Sequence, residues 1–189
     1  MRHVLATGLA SLLVLAGVAG CASGPAAPTS NGDSSTARAA RAVPRPPPAP
    51  KPATVAECPY LDRTVVADTN GQGVGEVKIS AASSKIIPAC FFYRPDGRLQ
   101  LRTRVYRGPL DTVRALVDLA APVRTSSRAD QPAGWEGGAQ ATGSGAVYAV
   151  AKPDANNSEL GIAIIVHTNQ AQSVKAREIT KKMVRALGW

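Results

Sequence analysis

Aromatic residues make up only 4% of this 189-residue chain, and histidine appears just twice, methionine twice and cysteine three times. Two histidines and three cysteines are a thin supply for a zinc centre, which takes three or more such ligands. Acidic residues are also short, 13 against 22 lysines and arginines. The excess of +9 is split between two regions: +4 before Thr54 and +5 from Thr54 onward. The second region is therefore only mildly basic, which does not call for a nucleic-acid partner. No apolar run reaches the roughly twenty residues that a membrane-spanning helix needs. The longest, VLATGLASLLVLAGVA at residues 4–19, follows Arg2.

What that run does fit is the core of a signal peptide. It ends in Val18-Ala19-Gly20-Cys21, an aliphatic residue and two small ones ahead of a cysteine. That order resembles the bacterial lipobox. Small residues suit a peptidase cleft that admits little bulk beside the scissile bond, and the thiol accepts diacylglycerol. Cleavage after residue 20 and lipidation of Cys21 are the expectation, with fatty-acyl chains (palmitate among them) holding the protein to the outer face of the cytoplasmic membrane. One acyl chain anchors only marginally, whereas a diacylated cysteine meets the two-chain condition.

Residues 22–53 have no apolar periodicity and are dominated by Pro, Ala, Ser and Gly. Such a segment cannot bury enough apolar surface to offset its ordering entropy. Val43–Pro52 favours polyproline II, so the thirty-two residues span at most on the order of 100 Å. The expected organisation is a signal peptide at 1–20, a lipidated cysteine and tether at 21–53, and one domain at 54–189. Arg38, Arg41, Arg45 and Lys51 could bring the tether near anionic headgroups.

Export would place Cys58 and Cys90 where disulfides persist, and two cysteines allow one pairing. A metal or redox pair is the rival, weakened by the absence of companion histidines at ligand spacing. Glu57–Val66 reads as an opening helix with Pro59 in its first turn, ended by Asp68-Thr69-Asn70-Gly71. Val74–Ser80 and Ala89–Tyr93 read as strands, and Pro95-Asp96-Gly97 as a turn. Arg98–Tyr106 alternates: Leu99, Leu101, Thr103 and Val105 on one side, Arg98, Gln100, Arg102 and Arg104 on the other. Pro109–Ala120 has helical spacing and 123–134 reads as an exposed loop. Trp135–Gln140, Ala146–Ala151 and Leu160–His167 read as strands, and Val174–Leu187 as a helix striped by Ala176, Ile179, Thr180, Met183 and Leu187. Hairpins interspersed with helices predict an α+β fold, an antiparallel sheet with helices packed on one face, in a single disulfide-closed domain.

Several short strings carry a family likeness: Cys58-Pro59-Tyr60-Leu61-Asp62, Val66-Ala67-Asp68-Thr69-Asn70-Gly71-Gln72, Pro88-Ala89-Cys90-Phe91-Phe92, Ala121-Pro122-Val123, Pro132-Ala133-Gly134-Trp135, Gly145-Ala146-Val147-Tyr148-Ala149-Val150, Thr168-Asn169-Gln170 and Ser173-Val174-Lys175-Ala176. From Cys58 to Trp189 the chain resembles a family of actinobacterial lipoproteins whose domain has no assigned function. The resemblance implies an envelope lipoprotein and is consistent with a Cys58–Cys90 disulfide. It supplies no activity and no catalytic residue.

Little in the residues points to catalysis. His167 lies at a strand-to-helix junction near Thr168 and Ser173, and a hydrolase using His167 with a nearby hydroxyl is the catalytic alternative. No nucleophile elbow precedes it. The acids Asp62, Asp68, Asp118 and Glu136 are scattered rather than paired. Gly71-Gln72-Gly73-Val74-Gly75 lacks the Lys-Ser/Thr of a phosphate loop. Three features remain. Arg98, Arg102 and Arg104, with Arg94 and Arg107 nearby, form a candidate face for an anionic ligand, or a solvated sheet face that discourages aggregation. Asp68–Gln72 and Asn169-Gln170 are polar loops that could line a site. The expectation is a non-catalytic, membrane-anchored envelope module, without cofactor or metal, that binds an anionic lipid, a glycolipid or a partner protein. A structural accessory subunit is a further alternative.

Overall fold

The computed structural model describes residues 45–82 and 86–189. The expected signal peptide, Cys21 and the tether as far as residue 44 lie outside the described residues. All described residues fall in one compact unit. The elements run β1 (Thr54–Val55), α1 (Arg63–Asn70), β2 (Glu76–Ile79), β3 (Cys90–Tyr93), β4 (Leu99–Pro109), α2 (Leu110–Ala120), β5 (Ser127–Ala129), β6 (Glu136–Thr142), β7 (Gly145–Pro153), β8 (Leu160–Thr168) and α3 (Ser173–Ala186). The strands form one antiparallel sheet in the order β1-β2-β3-β4-β8-β7-β6-β5.

The chain therefore lays down four antiparallel strands and a closing helix twice over, with α1 inserted between β1 and β2 of the first set, and the last strands of the two sets meet. β4 and β8 pair from Leu101↔Thr168 to Pro109↔Leu160. Alternation then gives the sheet two distinct faces. On one, the disulfide face, Cys90, Phe92, Leu101, Val105, Ile162, Ile164 and Val166 pack with α1 and α3 residues such as Val66, Ile179 and Met183. On the other, the arginine face, Ala163 and Ile165 of β8 and Val147, Ala149 and Ala151 of β7 pack under Val113, Leu116 and Val117 of α2.

The expected α+β class, antiparallel sheet and disulfide closure are what the protein has. The helices, expected together, are divided: α1 and α3 share the disulfide face, and α2 covers the other. The reason lies in β7 and β8, where GAVYAVA and GIAIIV are apolar on both sides and need cover on both. Cys58 and Cys90 are bonded, with Cα atoms 5.7 Å apart. Closing a loop across their separation of 32 residues is worth roughly 3–4 kcal/mol in the chain-entropy model.

Local differences from the sequence reading have identifiable causes. The first helix begins after Asp62, whose side chain accepts from Thr64 N at 2.7 Å. Glu57–Leu61 is not helical. Its path is fixed by the disulfide and by the Tyr60 hydroxyl, which lies 2.8 Å from Thr103 Oγ1 and donates to the Pro88 carbonyl at 2.9 Å. Rather than ending before Asp68, the helix continues to Asn70 and stops at Gly71, whose φ of 70° is left-handed. β5 forms where an exposed loop was expected, pairing Ser127–Ala129 with Ala139–Gly137.

A register shift divides β4 into two parts. β3 pairs Phe92 with Leu101 but Tyr93 with Leu99, so Gln100 is the extra residue of a bulge. Leu99, expected inside, is 42% exposed, and Gln100, expected outside, is 1% exposed. The alternation read for this strand thus holds from Leu101 onward and fails before it.

Candidate anion-binding face

Beyond the bulge, β4 keeps strict alternation and turns Arg102 and Arg104 toward the arginine face. Arg102 stands in register with His167 of β8, and Arg104 with Ile165. Both arginines are half-buried. Burial lowers each guanidinium pKa from its ordinary value, more than any neighbouring charge does at Arg104, yet an arginine stays charged in a protein. Among the described residues neither has a carboxylate partner. Arg104 Nη2 donates to the carbonyl of Pro47 at 3.2 Å.

The other arginines of the same hairpin differ in this respect. Arg94 and Arg98 both reach Asp96 Oδ2 at 2.9 Å, and Arg107 pairs with Asp154. Arg98 thus belongs to the Pro95-Asp96-Gly97 turn and stands apart from Arg102 and Arg104. The three-arginine face read from the sequence is, in space, a pair plus a turn residue.

His167 completes the cationic corner without adding charge. Burial first, and the Arg102 guanidinium second, push its pKa down to about 4, so the imidazole is neutral near pH 7. Beside it lies a cleft of about 170 Å³. Its floor is Arg102, Arg104, Ile165 and His167. Leu116, Leu119 and Ala120 of α2 form one wall, and Ala49 and Pro50 the other. The proline-rich stretch continues over a hollow of about 710 Å³ bordered by Ile86, Ile87 and Arg104–Arg107, and then joins the sheet through Ala53 N, which donates to Ile79 O at 2.9 Å. Composition gave no sign that Pro47–Pro50, read as tether, would border a site.

The polar loops also meet, at the opposite face. Asn70 Nδ2 donates to Gln100 Oε1 at 3.2 Å, Gln100 Nε2 to Gly73 O at 2.8 Å, and Thr168 Oγ1 to Asn70 Oδ1 at 3.3 Å. Asn169 Nδ2 reaches Gln72 Oε1 at 3.0 Å. Asn70, Gln100 and Thr168 are buried and satisfy one another, so this network pins the α1–β2 loop to the end of β8. Asp68 remains exposed on α1.

The two hydroxyls nearest His167 in sequence do not share its face of the sheet. Thr168 points to the disulfide face, where it bonds Asn70, and Ser173 opens α3, which packs on that face. Asp62 caps α1 and Asp118 accepts from Val123 N. The glycine-rich stretch fits a turn: a Cβ on Gly75 would come within 2.8 Å of Pro95 Cα. Among the described residues no three His, Cys, Asp or Glu side chains gather as a metal site requires.

The chain matches, over residues 39–189, the model of a family described as Domain of unknown function (DUF2020). No curated protein matches.

Proposed function

This chain belongs to that family, and from there we propose that it is a lipid-anchored, non-catalytic module at the outer face of the cytoplasmic membrane that binds an anionic envelope component on Arg102 and Arg104. One observation carries the binding site: these two guanidiniums are half-buried and lack a carboxylate among the described residues, while their hairpin neighbours are paired. Withholding water from a charge without supplying a counter-charge is unfavourable, and an anion from outside removes that cost. The anchor is supported by the residue order leading to Cys21. A tether rich in proline gives a lipid-held binder its reach.

The test is sedimentation of the mature chain carrying Cys21→Ser, so that no acyl chain holds it to a bilayer, with vesicles of phosphatidylglycerol and of phosphatidylcholine. Preferential binding to the anionic vesicles should fall by about tenfold or more in Arg102→Gln and in Arg104→Gln, and stay within about twofold in Arg98→Gln. An equal loss in all three variants would reduce the effect to bulk charge. Mass spectrometry of the native protein should find a diacylglyceryl modification on Cys21, and an unmodified thiol there would remove the anchor.

A further inference from the structure

The cleft pairs a charged floor with an apolar wall, and that combination narrows the ligand. Arg102 and Arg104 are alternate residues of one strand, about 6.6 Å apart along it, a separation that a single phosphate with several acceptor oxygens can bridge. His167 between β4 and the wall is neutral, so the floor carries two charges and an uncharged imidazole. A carboxylate brings one negative charge to two guanidiniums, whereas a phosphate monoester brings close to two at neutral pH, spread over three acceptor oxygens.

The wall is made of Leu116, Leu119 and Ala120, with Ile165 at its foot and Pro50 opposite. Leu119 is 73% exposed at the rim, a large apolar side chain held in water next to two cations. The space, about 170 Å³, is close to the roughly 150 Å³ of a cavity that takes up benzene. It has room for a short length of alkyl chain and not for a sugar chain.

We propose that this cleft binds a phosphate esterified to an alkyl chain, a proposal that rests on the reading of Arg102 and Arg104 as an anion site. The phosphate oxygens accept from Arg102 and Arg104, taking the Arg104 guanidinium from the Pro47 carbonyl. The first carbons of the chain lie against Leu116, Leu119 and Ile165. A phosphate bearing esterified carbon occurs in a free alkyl phosphate, a monoester with nearly two charges, and in a phospholipid within a bilayer, a diester with one charge whose first carbons are glycerol's; in both, unesterified oxygens would face the arginines and carbon the wall.

The experiment is calorimetric titration of the full mature chain carrying Cys21→Ser, which removes the acyl anchor, with hexyl phosphate and with inorganic phosphate, followed by hexyl phosphate competition against phosphatidylglycerol vesicles. Hexyl phosphate should bind about fiftyfold more tightly than inorganic phosphate, the contribution of about three buried methylenes. Arg104→Gln and Arg102→Gln should each weaken it by about tenfold or more, and Leu119→Ser should weaken hexyl phosphate while leaving inorganic phosphate unchanged. Leu119 is a rim residue, so this variant keeps the core intact, and far-ultraviolet circular dichroism with a thermal melt verifies each fold. Competition with the vesicles identifies a bilayer headgroup as the source. Hexyl phosphate binding without competition identifies a free alkyl phosphate. Equal affinity for the two phosphates overturns the inference in favour of a plain anion site. Vesicle binding that depends on Arg102 and Arg104, with no response to hexyl phosphate, overturns it while the broader reading stands. Failure to bind vesicles or either phosphate overturns both.

Discussion

The two faces of the sheet are built by opposite rules. On the disulfide face, two helices cover the strands, the large side chains Phe92, Leu101, Ile164, Ile179 and Met183 are less than 2% exposed, and buried polar groups such as Asn70, Gln100, Thr168 and Thr180 bond to one another or to backbone carbonyls. The arginine face has one helix. Under it lie mostly alanine and valine, and past its edge the sheet presents two half-buried guanidiniums and a neutral imidazole to a proline-rich segment. Stability is concentrated where polar groups are satisfied internally, and chemical opportunity where they are not. β4 belongs to both: its alternate residues serve the core on one side and the cleft on the other.

The strongest way to break this comparison is to cut into the disulfide face. Phe92→Ala should lower unfolding free energy by about 3–5 kcal/mol, measured by urea denaturation, against less than about 0.5 kcal/mol for Leu119→Ser at the rim of the other face. Similar losses at the two positions would mean that the faces are not divided in this way.

A second, smaller effect concerns acid. His167 has a pKa of about 4 in the folded chain, below the roughly 6.5 of an unfolded one. Between those values the unfolded chain binds more protons, so folding stability is complete above about pH 6.5 and declines as pH falls toward 4. The decline should be about 1–3 kcal/mol after solvent screening, and His167→Asn should flatten it. The depressed carboxylates Asp62, Asp96 and Asp154 act in the same direction, but only once pH falls through the carboxylate range. A stability curve in His167→Asn that still slopes between pH 6.5 and 4.5 would rule out the histidine as the cause.

The smallest effect sharpens the contrast. Arg102→Gln and Arg104→Gln relieve a buried charge that has no counter-charge among the described residues, so each should leave thermal stability unchanged or raise it by up to about 1 kcal/mol. A loss of 2 kcal/mol or more would show that the arginines hold the fold together and would return the arginine face to a structural role.

Much of this architecture is local in origin and was readable as such. Leu101, Thr103 and Val105 alternate with Arg102 and Arg104 over a span short enough for period two to be visible, and Pro95-Asp96-Gly97 closes the hairpin that joins them to β3. The stripe of Ala176, Ile179, Thr180 and Met183 marks α3, and all four are buried. Boundaries were less legible where a side chain outside the periodic pattern decides them, as Asp62 does by capping α1. β5 was missed because three residues pairing with Gly137 and Gly138 show no hydrophobic pattern. Of the candidate site, Arg102 and Arg104 were legible as a pair on alternate positions. Arg98 was grouped with them only because a bulge at Gln100 leaves no trace in residue type.

The sequence by itself indicated the strands β2, β3, β4, β6, β7 and β8, the three helices and, once Cys21 is set aside for a lipid, the pairing of Cys58 with Cys90, because each depends on neighbours a few residues away or on a simple count. Tertiary structure alone decided that β4 meets β8, that α2 covers the face opposite α1 and α3, and that Pro47 and Pro50 border Arg104. Those outcomes depend on which distant surfaces exclude water from each other. A residue type cannot state that preference until its partner, far along the chain, has been brought alongside.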